Sequence, residues 1–181
     1  VYSVASFVTA NVSSPNTRDL RSLQGGEELD ALLAVLMRER DALAKQHGRT
    51  VPLTVKIAPD LDDRAIEAIA ERLLSHRVDA VIATNTTTSR TGVERLLHGG
   101  EQGGLSGAPL RARSTAVVAR LARSLRGRVP IIGVGGIASA ADAREKLEAG
   151  ATLVQLYTAL LYRGPEIVGE IVQGLAARSG A

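Results

Sequence analysis

Asn11-Val12-Ser13-Ser14-Pro15-Asn16-Thr17 puts two carboxamides and two hydroxyls within six residues, 11–16, at the end of an apolar run. A carboxamide offers donors and an acceptor in one plane, so Asn11 and Asn16 suit a planar ligand with its own imide edge. A hydroxyl between them can move a proton. The same residues also make a plain turn, because Pro fixes φ and Ser and Asn fold back on their own backbone. This stretch alone leaves both readings open.

Further polar groups follow other apolar runs. Lys56 lies between Val55 and Ile57-Ala58. Turned inward in such company, its ammonium needs an anion; turned outward, it reaches solvent past the strand end. Thr84-Asn85-Thr86 ends another run, adding a third carboxamide. Gly107 and the pair Gly135-Gly136 belong to Gly103-Gly104-Leu105-Ser106-Gly107 and Pro130-Ile131-Ile132-Gly133-Val134-Gly135-Gly136-Ile137. Glycines let the backbone approach an anion, and N–H groups at a strand-to-helix turn hold phosphate without a metal. By itself the glycine pair is weak evidence, since many phosphate-binding barrels carry one. Tyr157-Thr158 closes the last such segment. The histidines, His47, His76 and His98, fall on helices or loops expected at the surface, and the spacing shows no metal-ligand cluster.

These groups need a scaffold, and the periodicity supplies one. Val4 to Val12 is a strand-like apolar run, and the opening from Val1 to Ala10 reads as a first, buried strand. Leu29, Leu32, Leu33, Leu36, Met37 and Leu43 predict an amphipathic helix between Glu27 and Gln46. Val51–Ile57 reads as a strand, and Asp60 with Asp63 suits the start of a helix carrying Leu61, Ile66, Ile69, Leu73 and Leu74. Asp79–Thr84 is an almost continuous apolar strand, as expected where both faces are covered. A long loop runs from Asn85 to about Pro109, then a helix spans Ser114–Leu125 and a strand Pro130–Val134. Ser139 with Asp142 resembles an N-cap box for a short helix ending at Gly150, with a strand at Leu153–Tyr157 and a helix at Gly164–Ala177 beyond it. Alternation of this kind predicts an α/β domain with a parallel sheet, and every polar segment then falls at a strand's C-terminal end, where barrel enzymes build their sites.

Composition narrows the function classes. At 19.0 kDa and 45% hydrophobic residues, the chain can bury one domain's core. Its net charge of +3 and pI near 9.7 come from Arg interspersed with acids, and an aromatic content of 2% leaves little on which bases could stack, so nucleic-acid binding is not expected. With no Cys, disulfides and thiolate metal sites are excluded. The apolar opening has no basic leader and is too short to span a bilayer. A complete eight-stranded barrel usually takes about 250 residues, more than the 181 here. Since the chain starts at Val1 and runs directly into a strand, the expectation is a piece of a longer protein, missing an N-terminal part.

Taken in order, these segments, with Lys56-Ile57-Ala58-Pro59-Asp60-Leu61 and Val154-Gln155-Leu156-Tyr157-Thr158, closely resemble the dihydroorotate dehydrogenases, FMN enzymes of pyrimidine (UMP) synthesis. The resemblance covers essentially the whole chain. It favours the class 2, quinone-linked form, which carries Ser at the position of Ser14 where class 1 carries Cys. It implies a (β/α)8 TIM barrel of which this chain, residues 1–181, holds about the last five strands. Ser14 would be the base that takes a proton from C5 of dihydroorotate while a hydride leaves C6 for flavin N5, with Thr17 as a supporting contact. Asn11, Asn16, Asn85 and Thr86 would bind the substrate. Asn11, Lys56 and Thr84 would contact FMN near its ring, and Gly107, Gly135, Gly136, Tyr157 and Thr158 its phosphate end.

The first three barrel strands, a Lys for the substrate carboxylate and a helical extension that docks on membrane and admits quinone are expected outside the chain. The isolated piece is accordingly expected to be soluble and inactive. The full-length protein would sit peripherally on the cytoplasmic face of a bacterial membrane or on the inner mitochondrial membrane. Two other readings stand beside this one: another FMN-dependent barrel oxidoreductase acting on a pyrimidine, or a non-catalytic phosphate-binding half-barrel.

Overall fold

The computed structural model describes residues 1–177. Five strands, β1 (Val8–Asn11), β2 (Leu53–Ile57), β3 (Ala80–Ala83), β4 (Ile131–Val134) and β5 (Leu153–Gln155), form one sheet. They pair in chain order, all parallel. Helical crossovers join them: α1 (Gly26–His47), α2 (Asp63–Ser75), α3 (Arg111–Leu125) and α4 (Ala140–Glu148). After β5 come α5 (Thr158–Arg163) and α6 (Glu166–Ala176). Parallel neighbours in sequence order, each separated by a helix, make the wall of a (β/α) barrel.

Side chains alternate between the two faces of a strand, and that alternation separates core from site. Leu53, Val55, Ile57, Val81, Ala83 and Ile131 pack outward against Leu29, Leu33, Ile66, Ile69, Leu73, Val118 and Leu121 of α1 to α3. Asn11, Lys56, Ile82 and Ile132 are register partners across four strands and share the opposite face. The stripes expected on α1, α2 and α3 are the faces these helices bury. Ser139 caps α4 as expected, its hydroxyl accepting the Asp142 N–H at 3.2 Å.

The structure corrects several boundaries. Val1 to Ala10 is not one buried strand, nor is Val4 to Val12 extended throughout. Only Val8–Asn11 is extended, and Val1 and Val4 are exposed. The reason lies in Tyr2, whose hydroxyl donates to Arg49 O at 3.0 Å and accepts the Val51 N–H at 3.1 Å, while Arg49 reaches back to the carbonyls of Ser3 and Ala5. These bonds satisfy the opening residues as a turn. Asp60 does not start α2; Asp62 does, accepting the Ala65 N–H at 2.8 Å. The last strand stops at Gln155, the closing helix expected at Gly164–Ala177 is α6, and the short α5 before it went unread. A 3-10 helix, Leu20–Gln24, went unread. His76 is not simply on the surface: its ring pairs with Asp30 at 2.8 Å, whereas His47 and His98 are exposed.

Candidate active site

All the expected site residues lie at or just beyond the C-terminal ends of the strands, and most of them line one cavity of about 550 Å³. Lys56, Thr84, Asn85, Thr86, Gly107, Gly135, Gly136, Tyr157 and Thr158 form its wall, with Ser106 and Leu110 among others. Asn11, Ser14, Asn16 and Thr17 stand outside that wall, on the β1 side of the same end.

Lys56 enters the cavity because β2 alternates. Its neighbours Val55 and Ile57 point into the helix-covered core, so Lys56 must take the other face, beside Asn11 and Ile82. It is half-buried, and among the described residues its ammonium has no hydrogen-bond or ion-pair partner. Burial lowers its pKa from the ordinary 10.5. An ammonium in that condition is a seat for an anion.

Between β1 and β3 lies a hydrogen-bonded cluster. The Ser13 hydroxyl donates to Asn11 Oδ1 at 2.9 Å, and Asn85 Nδ2 donates to Asn11 Oδ1 at 3.1 Å and Ser13 Oγ at 3.0 Å. Asn85 Oδ1 in turn accepts the Thr86 N–H at 2.8 Å. Asn11, Asn85 and Thr86 are thus brought together as expected, and buried Ser13 joins them unforeseen. Thr84, buried, donates its hydroxyl to Asn85 O at 3.0 Å and follows Ala83 through a cis peptide bond. Ser14 is half-buried, and its hydroxyl accepts the Asn16 N–H at 3.3 Å, so the turn geometry is real and leaves the hydroxyl hydrogen free to be aimed elsewhere. Asn16 is exposed and faces Gly103 of the long loop, and Thr17 is exposed with its carbonyl accepting the Leu20 N–H.

That loop packs down on the β1 end. Thr87 and Leu105 form an antiparallel bridge, and Gly104 lies so close to Thr86 and Pro15 that a Cβ there would meet Thr86 Oγ1 at 1.9 Å. At the other end, Thr158 donates to Ser106 Oγ at 2.9 Å beside Gly107. Gly135 and Gly136 have φ of 125° and 73°. Their missing Cβ atoms would fall on Ser114 and on the backbone of Arg111 in α3, so they are glycine because the turn presses against a helix. Ser114 ties that turn down by donating to Val134 O at 2.6 Å.

Arg21 and Asp60 also belong to this end. Asp60 lies just past a strand end, the rule that singled out the other residues, but the helix-start reading absorbed it. Arg21 gave no local signal, since its partners are 8, 39 and 65 residues away. Among the described residues no group of His, Asp or Glu is arranged to hold a metal ion.

Against known proteins, the sequence profile of the Dihydroorotate dehydrogenase family matches residues 1–178. The chain is 60% identical over 177 residues to the dihydroorotate dehydrogenase (quinone) of Methylococcus capsulatus, covering 98% of this chain and 52% of that one. To the protein of the same name from Nitrosomonas eutropha it is 58% identical over 178 residues, again 98% and 52%. A crystal structure of DHODH in complex with ferulenol from Eimeria tenella superposes with a TM-score of 0.92 at 36% identity, covering 97% of this chain and 50% of that one. The chain therefore spans about half the length of the relatives it matches.

Proposed function

Because this chain belongs to the dihydroorotate dehydrogenase family, we propose that within its full-length protein it forms the flavin-binding half of a barrel that oxidises (S)-dihydroorotate to orotate, with a quinone as final acceptor. The observation that carries this reading is the cavity of about 550 Å³ that has at one side a half-buried ammonium, unpaired among the described residues, and glycine turns at the other. Those residues fit FMN. Lys56 suits electron-rich ring atoms and the ribityl chain, Thr84 gives a buried polar contact, and the turns at Gly107 and Gly135-Gly136 next to Thr158 suit the phosphate. FMN would supply the acceptor for the hydride that leaves C6.

The remaining work falls to this chain's side chains. Asn11, its Oδ1 held by Ser13 and Asn85, keeps its Nδ2 hydrogens for a C=O of a pyrimidine ring. Asn85, both of whose Nδ2 hydrogens are given to Asn11 and Ser13, meets the ring by exchanging one of those bonds, so that ligands leaving the amides unpaired are rejected. Ser14 takes the C5 proton as its own hydroxyl proton passes on to solvent, which its half-exposed side chain reaches. The Asn16 N–H donated to its oxygen favours the negative charge that oxygen must develop. Asn16 and Thr17 support the same loop from its exposed side. We also assign the two free sheet edges, β1 and β5, to further strands that close the barrel. Leu153, Leu161, Tyr162 and Val172 near β5 are exposed apolar side chains that such strands and their helices would cover. Quinone access and peripheral membrane contact are assigned to parts of the full-length protein beyond this chain; among the described residues no helix is long and apolar enough to cross a membrane.

The test is anaerobic titration of the purified full-length protein. It should carry FMN whose absorbance bleaches with one equivalent of dihydroorotate, yielding orotate. Protein without flavin, or with flavin that dihydroorotate leaves oxidised, would refute the assignment.

A further inference from the structure

We propose that Arg21 is a positioning residue for the proton-transfer step, acting with Asp60 as a strut that holds the Ser14 loop against the substrate-binding amides; this rests on the role of Ser14 proposed above. One guanidinium reaches the loops of three successive strands. Its Nε donates to Ser13 O at 3.1 Å, one terminal nitrogen to Asp60 Oδ2 at 2.9 Å and the other to Thr86 O at 2.9 Å. The Ser13 carbonyl belongs to the peptide that leads into Ser14, so this bond fixes the plane from which the Ser14 side chain departs. The Thr86 carbonyl belongs to the residue whose N–H holds Asn85 Oδ1. Arg21 thereby locks the base-bearing turn and the recognition amides to a common point.

Asp60 anchors that point. Its carboxylate also accepts from Thr87 Oγ1 at 2.5 Å, the Thr88 N–H at 2.9 Å, Thr88 Oγ1 at 3.3 Å and Arg113 at 3.3 Å. Arg21 and Asp60 are both largely shielded, with side chains 24% and 18% exposed, so the pair is less screened than a surface ion pair. Gln24, one turn on, fastens the same 3-10 helix to β2 by accepting the Ala58 N–H at 2.8 Å. A planar fork with three separate acceptors is a task only arginine performs. Lysine offers a point charge without that geometry.

The experiment is a double-mutant cycle in the full-length holoprotein, read by the limiting rate of anaerobic flavin reduction by dihydroorotate. Arg21→Lys should slow that step by up to about 10²-fold, the effect of a small misplacement of a reacting group. FMN content should stay near parental. Placed on Ser14→Ala, the same change should add no more than about twofold, because the group it positions is gone. Asp60→Asn keeps the carboxylate's shape and should show the same non-additivity, which makes the cycle readable even if Arg21→Lys does not accumulate as holoprotein. An Arg21→Lys or Asp60→Asn effect of equal factor with and without Ser14, or no effect on the rate, would overturn the strut. In either case a parental protein that still bleaches with dihydroorotate, and a Ser14→Ala variant that is slow, would leave the functional reading standing.

Discussion

Lys56 is the residue whose condition most constrains what the cavity holds. Burial lowers its pKa, and nothing among the described residues repays the loss of water. The sign of the pH effect follows. The folded pKa lies below 10.5, so the unfolded chain holds its proton more firmly, and the penalty for the charged form is fully present below the folded pKa. Flavin-free protein should therefore gain stability as pH rises from the lowered pKa toward 10.5, and FMN should flatten that dependence by giving the ammonium its anion. Thermal melts with and without FMN across alkaline pH check this. Lys56→Met should weaken FMN binding on the order of 10- to 100-fold, the range for one hydrogen bond to a charged group, without lowering the melting temperature of the flavin-free form. Tighter FMN binding by the Met variant would place the ammonium outside the cofactor site.

At the scale of elements, the sheet end is held by contacts between helices and turns. Gly136 has a φ of 73°, and a Cβ there would stand 2.5 Å from Arg111 Cβ and 2.7 Å from its Cα. Gly136→Ala should cost roughly 2–4 kcal/mol, from a strained φ and an overpacked turn together, and lower FMN affinity as the turn moves off α3. Urea unfolding and flavin titration measure the two effects. Lys146 of α4 is the opposite case. It is fully buried, with its pKa brought down to about 8 mainly by burial, and donates to Arg111 O at 2.9 Å and to Thr115 Oγ1. Lys146→Met should be neutral or stabilising at pH 7, because Thr115 already donates to Arg111 O at 3.0 Å and a buried charge is removed. The parent should gain stability between pH 8 and 10.5, and the Met variant should not.

The stripes on α1 to α3 and the runs of β2 to β4 were legible because helical spacing and continuous apolar runs report burial directly. The Val1–Phe7 stretch misled because its apolar side chains are arranged by Tyr2 and Arg49, bonds formed across more than forty residues. The short α5 of six residues gave too little periodicity to be read at all, whereas α6 was legible at Gly164–Ala177. In the site, residues at strand ends could be read from type and place. Ser13 could not be told from Ser14, since which of two adjacent serines turns inward is decided by the register of β1 and by Asn85, 72 residues on. The Arg21 and Asp60 strut was hidden for the same reason.

At the scale of the molecule, the site end is also an acid-sensitive end. Burial would raise the pKa of Asp60, but hydrogen bonds from Thr87, Thr88 and Arg21 and the Arg21 charge outweigh it and hold the carboxyl below 3.8. At Asp142, burial is likewise outweighed by hydrogen bonds from Ser139, the Ala138 N–H and Arg111 and by the Arg111 charge. Their stabilisation is fully present above the unfolded value of 3.8 and lost as pH falls through the lower folded pKa. Acid titration followed by flavin release should show FMN lost in that window, and Asp142→Asn should lose it at higher pH. The claim on which the whole account turns is that this end of the sheet oxidises dihydroorotate with Ser14 as base. Stopped-flow flavin reduction in the full-length protein tests it most directly, since one turnover isolates the chemical step from quinone reoxidation. The account predicts that Ser14→Ala slows reduction by a factor on the order of 10² or more with FMN content unchanged, and that Ser14→Cys keeps part of the rate. Reduction of the Ser14→Ala flavin at the parental rate would contradict it.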